Sequence, residues 1–261
     1  MAGQFNDHQT SHLLELAGTV PTTFIVVSKD GSDAEGLGSW SKPYKTVTKA
    51  FAMASAVRST IYVLAGEYEE ALTLTWPAVN GVSLVGIGPV SISNANAAAQ
   101  VLLIAPGTAA TSTFGVGIKD VNIDANTQIG INVDNASMTK KLNLYLDGVS
   151  AEMSTSGESL DIDGTVSGQA IRVYMDGCDW EGLVNFAAND AGSRLRCTDT
   201  KFTGGVTVSG SVAAELSLRN CAVKTSTLSV DAAWNLTYVG CVYATDADPA
   251  VYTEFVNAYS T

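Results

Sequence analysis

One eight-residue pattern returns six times in the second half of this chain. The copies are 116–123 (VGIKDVNI), 144–151 (LYLDGVSA), 173–180 (VYMDGCDW), 195–202 (LRCTDTKF), 216–223 (LSLRNCAV) and 236–243 (LTYVGCVY). Aligned, their first position is always Val or Leu, and their third is Ile, Leu, Met, Cys, Leu and Tyr. The second and fourth positions are mixed and mostly polar, an alternation that marks a strand with one buried face. The fifth position holds Asp120, Gly148, Gly177, Asp199, Asn220 and Gly240. Gly, Asn and Asp enter the left-handed backbone region most readily, so this position is a sharp corner. Positions six and eight are apolar again in most copies, so a second inward-facing strand starts after each corner.

The spacing turns the pattern into an architecture. The sixth positions are 121, 149, 178, 200, 221 and 241, giving steps of 28, 29, 22, 21 and 20 residues. An earlier copy, 82–87 (VSLVGI), places Ile87 in the same position 34 residues before Val121. A strand, a corner, a strand and a return every ~20–30 residues describe one turn of a parallel β-helix. Equivalent positions then stack ~4.8 Å apart along its axis. A β-sandwich also alternates, but it gives no reason for a Gly/Asn/Asp corner at constant phase. Cys178, Cys221 and Cys241 fall in one inward position and Cys197 in another. Free Cys behaves as a small buried hydrophobe, so these thiols are expected to stack unpaired. No two cysteines are close in sequence, and both histidines, His8 and His12, are far away, so no zinc site is expected.

Composition narrows the function. Hydrophobic residues make up 46% of the 261 and charged residues only 15%, enough apolar material for a solenoid core. The net charge of −12 argues against a nucleic-acid partner, which needs clustered Lys and Arg. No apolar run approaches the ~18 residues of a membrane span. The first residues, 1–8 (MAGQFNDH), lack the basic and apolar regions of a secretion signal. The chain is therefore expected to be made in a cytoplasm, with no membrane partner.

Three regions are expected. Residues 1–23 form an N-terminal arm whose apolar patch, Leu13, Leu14 and Leu16, docks against something. Residues 24–245 form the β-helix, and residues 246–261 form a C-terminal tail in which Tyr252 and Phe255 are docking candidates. Within the β-helix, Val47, Ala50, Phe51 and Ala54 recur at helical spacing behind Thr46, a good N-cap. They predict a helix over about 46–57 that covers the open N-terminal end, where unpaired strand edges need a cap. The loop at 29–38 holds Asp30, Asp33 and Glu35 but lacks calcium-loop spacing, so it reads as a turn. The small residues of 93–113 read as a protruding loop.

The stretch from Val26 to Leu74 resembles the opening module of right-handed parallel β-helix (pectate-lyase-like) proteins. The resemblance is carried by 31–33 (GSD), 42–51 (KPYKTVTKAF) and 61–68 (IYVLAGEY). It implies an all-β chain, a single-stranded right-handed parallel β-helix with a short N-terminal helix cap. It leaves activity open, because this module begins lyases, hydrolases, adhesins and phage spike proteins alike. It also implies where chemistry would occur: depolymerases of this fold work on the outside of the coils, with outward carboxylates as acid and base or as calcium ligands beside an Arg base.

The outward positions supply one catalytic candidate. Asp147 and Asp176 occupy the fourth position of successive copies, stacked ~5 Å apart if in register, as in a retaining glycosidase pair. Arg172 and Arg194 precede the first position of successive copies. Asp before Gly is also ordinary turn chemistry, so Asp147, Asp176 and Arg172 serve the runner-up function only. Asp161 and Asp163 alternate around Ile162 as a weak calcium candidate. Tyr145 and Tyr174 stand on successive outward positions as a sugar platform or, better, a subunit interface. The outward face at 206–212 (VTVSGSV) and 226–230 (STLSV) is smooth and uncharged, as packing against neighbours requires. The function expected is a non-catalytic structural subunit of a phage or virus particle, a capsid-decoration or spike-like protein located in the virion. Its partners are then copies of itself in a homotrimer and other virion proteins such as a major capsid protein, with no cofactor. The alternatives are a polysaccharide lyase or glycoside hydrolase of the tailspike kind, and a carbohydrate-binding adhesin.

Overall fold

The chain is a right-handed parallel β-helix. A computed structural model describes residues 23–243 except 76–80, 97–98, 106–112, 126–128, 135, 137, 154–156, 165–168, 189, 211 and 225–227. The N-terminal arm to residue 22 and the tail from 244, with Leu13, Leu14, Leu16, Tyr252 and Phe255, lie outside the described residues.

Among the described residues every strand pairing is parallel, and the six copies align position by position. Val116 pairs with Leu144, Leu144 with Val173, Val173 with Leu195, Leu195 with Leu216, and Leu216 with Leu236. All six expected corners have positive φ: Asp120 at 52°, Gly148 and Gly177 at 61°, Asp199 at 48°, Asn220 at 52° and Gly240 at 67°. Past each corner a second short strand pairs the same way, for example Ser150 with Asp179 and Ala151 with Trp180. Among the described residues the return limbs carry a third strand per coil, forming a separate seven-stranded sheet from Leu72–Thr75 to Leu228–Val230. The coil is therefore three-sided: a first face before the corner, a second face after it, and a third face on the return.

Inward side chains from the three faces make one continuous core. Phe114, Leu144, Trp180, Phe186 and Phe202 are fully buried in it. Cys178, Cys197 and Cys221 are buried in it as free thiols, and Cys241 is half-buried in the last coil. The N-terminal helix runs Val47–Met53, shorter than the 46–57 expected, because Ser55 and Arg58 exchange backbone hydrogen bonds in a turn instead of continuing it. Thr46 caps it by accepting from the Lys49 amide, and Val47 and Ala50 are buried against the first strands.

Three local readings are corrected. Ile87 does not face inward but is 40% exposed, because Gly88 (φ 81°) and Pro89 widen that corner and Val90 takes the buried place. The stretch 93–113 is not wholly loop: Leu102–Ala105 is a third-face strand paired with Leu72–Thr75 and Ile131–Asp134. Within 206–212, Val206 and Val208 point into the core, and the outer surface there is Thr207 and Ser209.

Candidate ligand-binding face

The first face carries the side chains of interest. Three outward columns run along it, parallel to the helix axis. The first is Gly81, Gly115, Asn143, Arg172, Arg194 and Glu215. The second is Ser83, Gly117, Tyr145, Tyr174, Arg196 and Ser217. The third is Val85, Lys119, Asp147, Asp176, Thr198 and Arg219.

The two tyrosines stack. Their ring centroids are 5.0 Å apart and the planes 9° from parallel, and Tyr145 remains 49% exposed. This spacing matches the ~4.8 Å coil repeat, so register alone places the pair. On the N-terminal side of Tyr145 the next two places in its column are Gly117 and Ser83. There the surface falls into an open groove of about 480 Å³, floored by Gly81, Ser83, Gly115 and Gly117 and closed by Ser59 and the Tyr145 ring. Glycine inside a strand weakens it, and commonly marks a place where something must approach closely. The floor is also tight: a Cβ at Gly81 would meet the Gly115 carbonyl oxygen at 2.9 Å, and one at Gly117 the Ser83 hydroxyl at 3.2 Å.

On the C-terminal side of the tyrosines lies a cationic cluster. Arg172 pairs in register with Arg194, and Tyr174 with Arg196. Glu215 accepts two hydrogen bonds from Arg196, at 2.9 and 3.1 Å, and lies 4.0 Å from Arg194. The Arg196 hydrogen bonds hold the Glu215 carboxyl below its usual range, and Glu215 in turn raises the Arg196 guanidinium. Arg172 spends its Nε on the Gly192 carbonyl, while the Arg194 Nε is buried without a partner.

Asp147 and Asp176 are register neighbours, as expected. The rest of the runner-up triad does not join them. Arg172 sits four residues back along the strand from Asp176, about 13 Å away. Asp147 is ion-paired with Lys119, whose ammonium it raises above the usual range. Asp161 lies on the third face, in register with Asn132 and Asn185, and accepts from the Asn185 amide at 3.0 Å. Asp163 pairs with Asp134 along the backbone. Among the described residues no three His, Cys, Asp or Glu side chains are grouped to hold a metal. Asp33, in the turn of calcium-like composition, instead accepts from the Lys45 and Thr46 amides and the Thr46 hydroxyl at 2.7 to 3.1 Å.

Residues 29–190 match the family model described as "Protein of unknown function (DUF1565)", more than half of the chain. The chain belongs to this family. A solved structure, the pectin methylesterase from Aspergillus niger in deglycosylated form, is similar at 15% identity and a TM-score of 0.40, covering 88% of this chain and 83% of that one. No curated protein matches the chain. Among the described residues of this DUF1565 member, no helix is long and apolar enough to cross a membrane.

The DUF1565 match ends at residue 190, inside the coil that presents Arg172 and Tyr174, so Arg194, Arg196 and Glu215 lie beyond it. The groove and the full cationic cluster are also what sequence reading misses. Extending the aligned columns back to 81–83 and 115–117 exposes the glycine floor. Counting arginines by column adds Arg196 to the pair Arg172 and Arg194.

Proposed function

We propose that this chain is a non-catalytic recognition scaffold, a rigid β-helix that presents its first face to a partner macromolecule. The observation that carries this reading is the parallel Tyr145–Tyr174 stack standing exposed on that face. Stacked, solvent-facing tyrosines offer a wide apolar body with polar tips at low conformational cost, the chemistry of contact surfaces. A particle subunit, the setting expected from the sequence, is one form of this reading. The partner is then a neighbouring subunit, and the support is the resemblance of the opening module to that of phage spike proteins.

A depolymerase is the second reading, favoured by the register of Asp147 with Asp176. The Lys119 ion pair and the distance to Arg172 weigh against it. Incubating the full chain with neutral and acidic polysaccharides and measuring reducing ends separates the two. No release is expected. Release that disappears in Asp176→Asn would overturn the non-catalytic reading. Light scattering of wild type and a Tyr145→Ala/Tyr174→Ala variant tests the particle form: a trimer that the double substitution dissociates would make the partner a second copy.

A further inference from the structure

The four cysteines differ in what stands beside them on the next coil. In the inward column that follows the corners, Cys178 is followed by Thr200, and only Cys221 and Cys241 are consecutive. Cys197, in the other inward column, has Met175 and Leu218 as register partners. Cys221 and Cys241 each come directly after a corner of positive φ, Asn220 at 52° and Gly240 at 67°. The residues after them, Ala222 and Val242, pair in register, and the Val242 amide donates to the Cys221 carbonyl at 2.9 Å. Residues in such register have Cα atoms about 4.8 Å apart, within the range of about 4.4–6.8 Å that a disulfide spans. The sulfurs also lean the same way. Cys241 Sγ reaches back to the Leu218 carbonyl of the preceding coil at 3.5 Å, as Cys221 Sγ does to the Cys197 carbonyl at 3.5 Å. A disulfide prefers a Cβ spacing of ~3.8 Å, a little shorter than the coil repeat, so closing the bond draws the outer coil inward. That coil is the one free to follow: Asn235–Val239 buries none of its residues fully. Cys221 is buried, whereas Cys241 is half-buried and gives access to the pair.

We propose that Cys221 and Cys241 are an oxidation site, at which a peroxide joins them in a disulfide that staples the loosest coil to its neighbour. The inference is independent of what the first face contacts. Cys241 reacts first. Its thiolate attacks one peroxide oxygen, the O–O bond breaks, and the departing hydroxide takes up the proton that the thiol released, leaving a sulfenic acid and one water. The Cys221 sulfur then attacks the Cys241 sulfur, the S–O bond breaks, and the Cys221 proton leaves with that oxygen as a second water. Two thiols thus lose two electrons and two protons, and one hydrogen peroxide becomes two waters. Burial holds the Cys221 thiol up at about 11, which makes the second step the slower one. The new bond joins positions 20 residues apart, and a closed loop of that kind restrains the coil from opening.

The test exposes the full, reduced chain to a small excess of hydrogen peroxide, then to N-ethylmaleimide in urea, followed by mass spectrometry. Two labels, on Cys178 and Cys197, are expected in place of four. Trypsin cuts after Arg219 and Lys224, so the bridge links peptide 220–224 to peptide 225–261. Amide exchange at Leu236 and Tyr238 should slow at least ~10-fold on oxidation and recover with dithiothreitol. Cys241→Ala, at a half-buried position that leaves the core filled, should abolish both the linked peptide and the slowing. Four labels after peroxide, a sulfinic acid on Cys241 with Cys221 still labelled, a Cys241 link between two chains, or a linked peptide without slower exchange would overturn the proposal.

Discussion

A cysteine in this chain is a packing residue, and its chemistry follows from where the coil places it. Cys178, Thr200, Cys221 and Cys241 occupy one inward column, while Cys197 sits on the first face beside Met175, sulfur to sulfur at 3.7 Å. The thiols donate weakly to carbonyls of the coil, Cys178 to Leu146 at 3.4 Å and Cys221 to Cys197 at 3.5 Å. Burial pushes the Cys178 and Cys221 thiols up to about 11 and holds the Cys197 thiol well above its usual range. Because the thiolate is the reacting species, these three are expected to resist alkylation at pH 8. Cys241, only half-buried, is expected to react first. Mass spectrometry after N-ethylmaleimide treatment should find a single label in the native chain and all four in urea. Rapid native labelling of Cys178 or Cys197 would show that the core column is not packed as described.

At the scale of the element, the corner is the feature on which each coil depends. Asp120, Asp199 and Asn220 hold positive φ without being glycine. Asn220→Gly should therefore leave thermal stability nearly unchanged, whereas Asn220→Val should cost about 1–2 kcal/mol, since a β-branched residue is poorly tolerated there. The corners are legible in the sequence because a backbone requirement selects residue type at constant phase. The third face is not. Its strands are short, sit after returns of changing length, and in Leu102–Ala105 are hidden among small residues. Ile87 is misread for a related reason, since three extra residues at one corner, between the Val82–Val116 and Ser91–Asn122 pairings, shift the phase there. The helix cap shows a further limit. Its N-cap, Thr46, is readable, but the Val47 and Thr48 amides are satisfied by Glu70 from the following coil, a contact set by the fold alone. Asp33 braces the same region. Burial by itself would raise its carboxyl, but hydrogen bonds from Thr46 and Lys45 outweigh that and lower it below 3.8. A depressed folded-state value means that its contribution is present above the unfolded value and is lost as pH falls through the folded one. Asp33→Asn should cost about 1 kcal/mol at pH 7, discounted for its solvent contact, and the difference from wild type should shrink below about pH 4 in urea melts.

For the whole molecule, a solenoid in which each coil touches only its neighbours has no single stability. The inner coils are saturated: in Leu142–Asp147 every second residue is buried, and Ile171–Asp176 repeats the pattern. The last first-face strand, Asn235–Val239, buries none of its residues fully, and Val239 and Val242 are exposed by 56% and 65%. Its backbone bonds to Glu215–Arg219 are parallel and in register like the others, so hydrogen bonding does not distinguish it. What differs is the apolar area behind those bonds. Opening of the terminal coil should thus require less free energy, and amide exchange at Leu236 and Tyr238 should run at least ~100-fold faster than at Leu144 and Leu146. A substitution in the interior sharpens the test. Phe202 is fully buried on the second face, and Phe202→Ala should cost about 3–5 kcal/mol by opening a cavity. In a nearest-neighbour solenoid that loss spreads unevenly. Residues 216–243 lie on the C-terminal side of the cavity, where the last described first-face strand buries none of its residues fully, so their exchange should accelerate more than that of 142–147, which keep intact coils on both sides. If Phe202→Ala instead accelerates every strand equally, the chain unfolds as one unit, and the graded, end-to-middle stability expected from stacked coils does not hold.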